Sequence, residues 1–143
     1  MMLFSAKAEY AVIAMLELAT RFQDPQPVRL KTIVDTHQIP DRFLVQILLQ
    51  LKGAGLILST RGAAGGYQLS RAPDTISLAD IINVIDRNDE ANPGRGMDES
   101  NLVRATREVW ADILQARQRI LEQTTLAELI NRAAMGTSFS YQI

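Results

Sequence analysis

Residues 40–70 decide the fold of this 143-residue chain, and they read PDRFLVQILLQLKGAGLILSTRGAAGGYQLS. The first half predicts a helix, because its apolar residues recur every three or four positions and Pro40 suits a first helical position. The residues with this spacing are Phe43, Leu44, Ile47, Leu48 and Leu51. The second half predicts a β-hairpin, with strand-like segments at 56–60 and 67–70 around a glycine-rich turn. The stretch therefore predicts an amphipathic helix that leads directly into a small two-stranded sheet.

Two further helices are predicted before this stretch. The first begins at Ser5, whose hydroxyl can cap free amides, and runs to about Phe22. The second covers about residues 30–36, although Arg29 stands where a capping Ser or Thr would be expected. Residues 37–39 form a tight connection to the third helix. Three short helices followed by a hairpin is the order of a winged helix-turn-helix, in which the third helix enters the major groove of DNA.

The second half of the chain predicts three more helices and a loop. A capping box at Ser77 opens a helix through Ile85, and the polar residues 87–100 predict a loop. After the loop, apolar residues alternate spacings of four and three over about 20 residues, which predicts a long helix with a broad apolar face. Another capping box, at Thr125, opens a last short helix through Ile130.

These elements predict a mainly α-helical chain with one small hairpin, divided into three parts. Residues 1–86 form the DNA-binding domain with its following helix, residues 87–100 a loop with a sensing role, and residues 101–143 the dimerisation and C-terminal helices. Three short helices cannot easily bury so broad an apolar face, so we expect the long helix to pair with a second copy. The residues expected at this dimer interface are Leu102, Val109, Trp110, Ile113 and Ile120. Two-fold dimers read palindromic DNA.

The composition excludes several classes of chemistry. The chain has no cysteine, which removes thiolate nucleophiles, disulfides and cysteine-ligated iron-sulfur clusters, and its one histidine cannot form a histidine-rich metal site. Residues 62–66 lack the Lys-Ser/Thr continuation of a phosphate-binding loop. We therefore predict no cofactor and no enzyme activity. The acidic residues at the predicted loop could hold a hard cation but are more often simply solvated, and they are Asp86, Asp89, Glu90, Asp98 and Glu99.

Charge is distributed unevenly along the chain. Residues 1–71 hold 8 Lys and Arg against 5 Asp and Glu, a net charge of +3, whereas residues 72–143 hold 7 against 11, a net charge of −4. An anionic partner is therefore expected on the first half. No apolar run is long enough to cross a membrane, and the start of the chain does not have the pattern of a secretory signal. We expect a cytoplasmic protein without a membrane partner.

Seven short segments of the chain carry a further pattern, and they read KAEYAV at 7–12, LVQIL at 44–48, KGAGL at 52–56, RGAAGGYQL at 61–69, ISLADII at 76–82, VW at 109–110 and TTLAEL at 124–129. Together these segments resemble the Rrf-two family of bacterial winged-helix regulators. The arginine-glycine turn followed by Gly-Gly-Tyr, placed between two strands after a helix-turn-helix, is the most specific of them. The resemblance implies a homodimeric transcription factor that binds double-stranded DNA, with long helices crossing at the dimer interface and each wing beside the DNA backbone.

The resemblance also implies roles for particular residues. Outward side chains of the third helix and the wing arginine would contact bases, and these are Arg42, Val45, Gln46, Leu49 and Arg61. Candidate phosphate contacts are Lys7, Tyr10 and Lys52. The wing turn would be built by Gly62, Gly65, Gly66 and Tyr67, with Gly65 and Gly66 allowing positive φ and close approach.

Some of these assignments have simpler alternatives. Gln46 and Arg42 could be ordinary exposed helix residues, and Tyr10 could belong to the core of the first helix. His37 could sense pH, although a solvated turn histidine is the simpler interpretation. Trp110 is expected to pack between the long helix and its partner helix rather than to form a ligand platform.

The chain departs from the family pattern at two places. Family members with an iron-sulfur cluster hold it through three cysteines in the loop before the dimerisation helix, and the segment 87–100 has none. The family often has Glu before the recognition-helix glutamine and a polar residue one turn later, where this chain has Val45 and Leu49. Glu accepts a hydrogen bond from cytosine, whereas Val can pack only against an apolar group such as the thymine methyl. We therefore predict a changed base preference.

Two functions remain open from the sequence. The first is a sequence-specific DNA-binding regulator, a homodimeric repressor on a palindromic operator, whose signal could come from a small molecule or a metabolic enzyme. The second is an interaction module that has kept the fold and binds a metabolic enzyme, with weak or lost DNA binding. The apolar Val45 and Leu49 on an outward face support the second function.

Overall fold

The computed structural model describes residues 4–86 and 100–140. Within these residues the elements are α1 (Ala6–Thr20), α2 (Leu30–His37), α3 (Asp41–Gly53), β1 (Ile57–Thr60), β2 (Gly66–Leu69), a 3-10 turn (Pro73–Thr75), α4 (Leu78–Ile85), α5 (Asn101–Gln123) and α6 (Leu126–Ser140). This order confirms the predicted fold class, mainly α-helical with a small hairpin. The described helices include none long and apolar enough to cross a membrane.

Short polar side chains cap four of the helices. The hydroxyl oxygens of Ser5, Ser77, Ser100 and Thr125 each accept a hydrogen bond, 3.0 to 3.2 Å long, from the amide three residues later. At α4 the capping box is complete, because Asp80 accepts a 3.0 Å bond from the backbone amide of Ser77. Capping satisfies amides that have no partner inside the helix, so these residues determine where the helices begin.

The connection between α2 and α3 differs in detail from the prediction. His37 is the last residue of α2 rather than part of the turn, and Gln38 makes the turn with a φ of 55°. Pro40 precedes α3, whose first helical residue is Asp41, so the prediction of proline at the first helical position was wrong by one residue. Proline still suits this place, because the carbonyl of Pro40 accepts the first bonds of α3.

The last helix is longer than predicted. α6 runs to Ser140, whereas the apolar pattern indicated an end soon after Ile130. The pattern marks only the part of a helix that faces the core, and residues 131–136 continue the helix with exposed side chains. Good helix formers such as Ala and Met favour this continuation.

Helix α1 lies at the centre of the described structure. It packs against α2, α3, α4, α6 and β2. The side chains of Ala8, Ala11 and Ala14 on its inner face are at most 1% exposed. Because alanine is small, the neighbouring helices can approach α1 closely at these positions.

The beginning of α6 is joined to the first part of the chain. The amide of Leu126 donates to the carbonyl of Ile76 at 3.1 Å, and the amide of Leu78 donates to the carbonyl of Thr124 at 2.8 Å. These bonds fix the start of α6 beside the start of α4. The C-terminal helix therefore packs on the predicted DNA-binding domain rather than standing apart from it.

The hairpin is extended by a pairing with the segment before α2. Strands β1 and β2 are antiparallel, with Ile57 opposite Leu69 and Thr60 opposite Gly66. Val28 and Tyr67 exchange backbone hydrogen bonds of 2.9 and 2.8 Å on the other side of β2. The wing base is therefore anchored on both sides of β2.

The two adjacent glycines of the wing are required by close backbone approach. A Cβ atom at Gly65 would overlap the carbonyl oxygen of Thr60, and one at Gly66 would overlap the carbonyl oxygen of Val28. The predicted positive φ at Gly65 and Gly66 was wrong, since in the described wing it is Gly62 that has one, at 107°. The chain changes direction at Gly62. Gly65 and Gly66 then let the chain that enters β2 lie against the backbone of Thr60 and Val28.

We predict that Gly66→Ala lowers the free energy of unfolding by about 1–3 kcal/mol, the usual cost of forcing extra atoms into a packed site. Urea denaturation measures this change. The matched control is Gly53→Ala, because an added Cβ at Gly53 meets nothing within 4 Å and alanine favours the helix end. A Gly66→Ala protein as stable as the Gly53→Ala protein would contradict the close approach.

Candidate nucleic-acid interface

Helix α3 has one buried face and one outward face. Its buried residues are Leu44, Ile47, Leu48 and Leu51. The residues between them point outward with the spacing of one helix face, and these are Arg42, Val45, Gln46 and Leu49, all exposed. The exposed fractions of Val45 and Leu49 are 45% and 65%. The predicted base-contacting residues of α3 therefore share a single accessible surface, which we call the α3 face.

The aromatic residues beside the α3 face form a small stack. The guanidinium carbon of Arg42 lies 5.4 Å from the centre of the Phe43 ring, and that ring lies 6.0 Å from the ring of Tyr10. Tyr10 and Phe43 are half-buried and pack against the core. Tyr10 therefore packs as a core residue of α1, the role that the sequence left as an alternative. Its contact with a phosphate stays a prediction.

The wing presents its predicted arginine to solvent. Arg61 is exposed and opens the turn 61–65, directly after the last residue of β1. Tyr67, counted with the wing turn from the sequence, lies in β2 and packs half-buried against the core. Lys52 is exposed in the last turn of α3, and Lys7 is half-buried on α1. The structure thus places a cation on the wing and another at the end of α3.

Arg29 contacts the wing, which sequence reasoning did not predict. Its Nη2 atom donates a 2.7 Å hydrogen bond to the carbonyl oxygen of Ala63, 34 positions away in the chain. The side chain makes no capping hydrogen bond at α2, although Arg29 occupies the capping position. The unexpected arginine at that position was the one signal that the sequence offered.

A polar cluster ties the end of α2 to α1. The Nε2 atom of His37 lies 3.0 Å from one carboxylate oxygen of Glu17, and Arg21 and Thr20 donate to the other at 3.2 and 3.1 Å. Partial burial acts to raise the pKa of the Glu17 carboxyl, but the hydrogen bonds from His37, Arg21 and Thr20 outweigh it and hold that pKa below its ordinary value. His37 is therefore a structural contact near the recognition helix rather than a purely solvated residue.

The outer face of α5 is apolar and exposed. Every residue predicted at the dimer interface is exposed in the single chain, and these are Leu102, Val109, Trp110, Ile113 and Ile120. Leu121 is the only buried residue among those of α5. Trp110 is 58% exposed in the single chain, which leaves much of its ring available to a partner helix. An apolar face of this extent on a described helix indicates an interaction surface.

A helix-turn-helix with its third helix exposed beside a hairpin defines the class of winged-helix DNA-binding proteins. Comparisons with known proteins agree with this class. The model of the Rrf2 family, described as an iron-dependent transcriptional regulator, matches residues 4–132. The chain therefore belongs to the Rrf2 family.

Individual relatives support the same assignment. The HTH-type transcriptional regulator CymR of Bacillus subtilis is 36% identical over 128 residues, which cover 90% of this chain and 89% of CymR. The solved structure of that CymR, the global cysteine regulator of B. subtilis, matches with a TM-score of 0.77 at 35% identity over 92% of this chain and 98% of the other. The structure of T. potens IscR matches with a TM-score of 0.76 at 34% identity, covering 92% and 88% of the two chains.

The chain is a DNA-binding transcriptional regulator and not an enzyme, as the sequence predicted. The comparisons favour this function over the interaction module, because relatives spanning nearly the whole chain are named as HTH-type regulators. DNA is its partner.

The residues present do not fit the iron chemistry in the family description. The chain has no cysteine, and among residues 4–86 and 100–140 no three His, Asp or Glu side chains are grouped so that they could hold a metal ion. Asp86 instead accepts a 2.6 Å hydrogen bond from the hydroxyl of Ser5. The other acidic residues considered for a cation, at 89, 90, 98 and 99, lie outside the described residues.

We predict that Glu17 makes the stability of the protein depend on acid pH. A carboxyl with a lowered pKa in the folded state stabilises the fold above its unfolded pKa, and this contribution disappears as pH falls through the folded pKa. Glu17→Gln should therefore lower the free energy of unfolding at about pH 6 and reduce its loss between about pH 6 and pH 3. Urea denaturation at both pH values measures the two effects.

The control variant is Glu108→Gln, on the exposed side of α5. It should keep the acid dependence of the wild type. Equal acid dependence in Glu17→Gln and the wild type would show that the cluster does not stabilise the Glu17 carboxylate.

Proposed function

We propose that the chain acts in the cytoplasm as a homodimeric repressor that binds a palindromic operator through the α3 face and the wing. The observation that carries this proposal is the α3 face itself. Its four side chains are exposed on one side of a helix whose opposite side is buried in the core. This is the arrangement that a recognition helix needs in order to enter the major groove.

The side chains of the α3 face are suited to different bases. Gln46 can form two hydrogen bonds with an adenine edge, and Arg42 can reach guanine or a phosphate. Val45 and Leu49 have no hydrogen-bonding groups, so their favourable contact in the groove is the methyl group of thymine. We therefore propose operators with thymine opposite Val45 or Leu49.

Residues beside the α3 face and on the wing would contact the DNA outside the bases read by α3. Lys52 is exposed at the end of α3, so we assign it a phosphate contact together with Lys7 and Tyr10 on α1. We assign Arg61 to the minor groove, whose negative potential attracts an arginine where the groove is narrow. Phosphate contacts fix the position of the protein, and the α3 face supplies the sequence preference.

Selection of bound duplexes from a randomised pool tests the proposed operator. We expect the selected duplexes to contain two half-sites related by two-fold symmetry, with thymine favoured at one or more positions of each half-site. In fluorescence anisotropy, the protein should bind such a duplex about a thousandfold more tightly than a scrambled duplex. In Val45→Glu, which can accept a hydrogen bond from cytosine, cytosine should become more frequent at one position of each half-site. Selected duplexes without symmetry, or an unchanged base frequency in Val45→Glu, would contradict the proposal.

The exposed face of α5 supports the proposed dimer. Leu102, Val109, Ile113 and Ile120 follow the spacing of seven and four residues that brings two helices together along a seam. With 23 residues, α5 is about 35 Å long at 1.5 Å per residue. A seam of that length with large apolar side chains suits the isologous interface of a two-fold dimer.

An apolar groove lies near one end of this seam. It has a volume of about 390 Å³ and lies between α1 and α4, with Tyr10, Ile13 and Leu78 in its lining. Phe4 also lines the groove, and the guanidinium carbon of Arg117 on α5 lies 4.9 Å from the centre of its ring. The groove is thus close to α5. We propose that the second copy covers both surfaces.

We predict that Ile113→Arg shifts the protein from dimer to monomer, because it places a charge at the centre of the seam. Analytical ultracentrifugation at micromolar concentration measures the change. Gln115→Arg is the matched control, since Gln115 is exposed about 160° away around the helix and should leave the dimer intact. A dimeric Ile113→Arg protein would assign the interface to another surface.

We also propose that residues 87–100 receive the signal, from a small molecule or a metabolic enzyme. The support comes from Asp86, the described residue that follows α4 and immediately precedes this segment. Its carboxylate accepts hydrogen bonds from the hydroxyl of Ser5 at 2.6 Å and from the Ser5 amide at 3.3 Å. Since Ser5 caps α1, a displacement of Asp86 would act directly on the helix at the centre of the DNA-binding domain.

A further inference from the structure

Two consecutive residues hold the wing against the rest of the domain. Val28 pairs with Tyr67 through two backbone hydrogen bonds and so fixes the base of β2. Its neighbour Arg29 donates from Nη2 to the carbonyl oxygen of Ala63 at 2.7 Å and so contacts the turn. The wing is therefore held at its base by a backbone pairing and at its tip by a side chain.

The wing tip has few means of holding its own shape. Its residues are arginine, two glycines and two alanines, and the amide of Gly65 donates to the carbonyl of Gly62 at 3.0 Å to close the turn. Small side chains at 62–65 offer little apolar surface for burial, and glycine adds backbone freedom. A contact from outside the turn can therefore help to fix its position.

An arginine suits this contact for three reasons. Its long side chain can cross from the start of α2 to the wing, its guanidinium is charged at every physiological pH, and a charged donor makes a strong bond to a carbonyl. The structure shows no competing use of the side chain at α2, since Arg29 makes no capping hydrogen bond.

We propose that Arg29 is a positioning residue for DNA binding. It holds the wing tip so that, before DNA binds, Arg61 is already in the position from which it enters the minor groove. This inference rests on the proposed role of Arg61. The bonded carbonyl belongs to Ala63, two positions after Arg61 in the same turn. A wing that is ordered before binding loses less conformational entropy when the complex forms, so the affinity is higher.

The affinity test is a double-mutant cycle between Arg29→Met and Arg61→Ala, measured by anisotropy on the selected operator at several salt concentrations. Methionine removes the donor and the charge while keeping an unbranched apolar stem. We expect Arg29→Met alone to weaken binding about fivefold, the scale of one hydrogen bond. In the Arg61→Ala background the same change should weaken binding less than twofold. The hydrogen bond from Arg29 to Ala63, which we call the clamp, then has no Arg61 side chain to position.

The salt dependence separates positioning from direct contact. Arg61→Ala should weaken binding and reduce the slope of log affinity against log salt by about 0.9, the value for one cationic side chain that displaces counterions from the DNA. Adding Arg29→Met to Arg61→Ala should leave that slope unchanged. A further fivefold loss with a further fall in slope would show that Arg29 contacts phosphate itself, and the positioning role would be overturned.

A measurement without DNA tests the clamp independently. Hydrogen exchange of the free protein should be faster at the amides of residues 61–65 in Arg29→Met and unchanged in α4. Arg132→Met is the matched control, because Arg132 is an exposed arginine of α6 paired with Glu128 at 2.7 Å, far along the chain from the wing. It should change neither the exchange at the wing nor the operator affinity.

The outcomes for the two proposals are distinct. If Arg61→Ala binds as tightly as the wild type, the wing contact with DNA is wrong, whereas hydrogen exchange still decides whether Arg29 orders the turn. If exchange at 61–65 is the same in Arg29→Met and the wild type, the clamp is wrong even where DNA affinity falls.

Discussion

The close packing around α1 depends on the small size of its inner side chains. Ala8, Ala11 and Ala14 are buried where α1 contacts the other helices of the domain. Because these three residues lack bulk, large side chains of the neighbouring elements, including the buried leucines of α3, can pack against α1 beside its own Met15 and Leu18. The burial of those leucines turns the remaining side chains of α3 outward. The accessible α3 face therefore depends on which side chains α1 allows to approach it.

The wing follows from a second constraint, the approach of backbone to backbone. Gly65 and Gly66 leave room for the carbonyl oxygens of Thr60 and Val28, and the pairing of Val28 with Tyr67 then joins the hairpin to the segment before α2. Recognition helix and wing are thus parts of one connected unit: α3 leads into β1, and β2 is fixed to the residues that precede α2. A shift of α2 would move the wing as well as the helix that follows α2.

Local patterns were sufficient to predict most of the fold. The apolar spacing of α3, the hairpin around its glycines and the capping box at Ser77 all depend on residues within a few positions of one another, and all were confirmed. Contacts between distant residues left no such pattern. Arg29 and Ala63 are 34 positions apart, and His37 and Glu17 are 20 apart, so folding had to bring them together before their roles were visible. The outward position of the α3 side chains follows from helix periodicity, whereas their contacts with bases depend on a DNA molecule and stay predictions.

The apolar character of the α3 face has a consequence for chemically modified DNA. A glutamate that accepts a hydrogen bond from cytosine reads the amino group, which distinguishes cytosine from thymine. Val45 and Leu49 can recognise thymine only through the methyl group on its C5 atom. Cytosine that has been methylated carries the same group on the same atom, in the same part of the major groove. For these two side chains, an enzyme that methylates cytosine at C5 would therefore create an apolar contact resembling that of thymine, so the occupancy of a site could change without any change in its sequence.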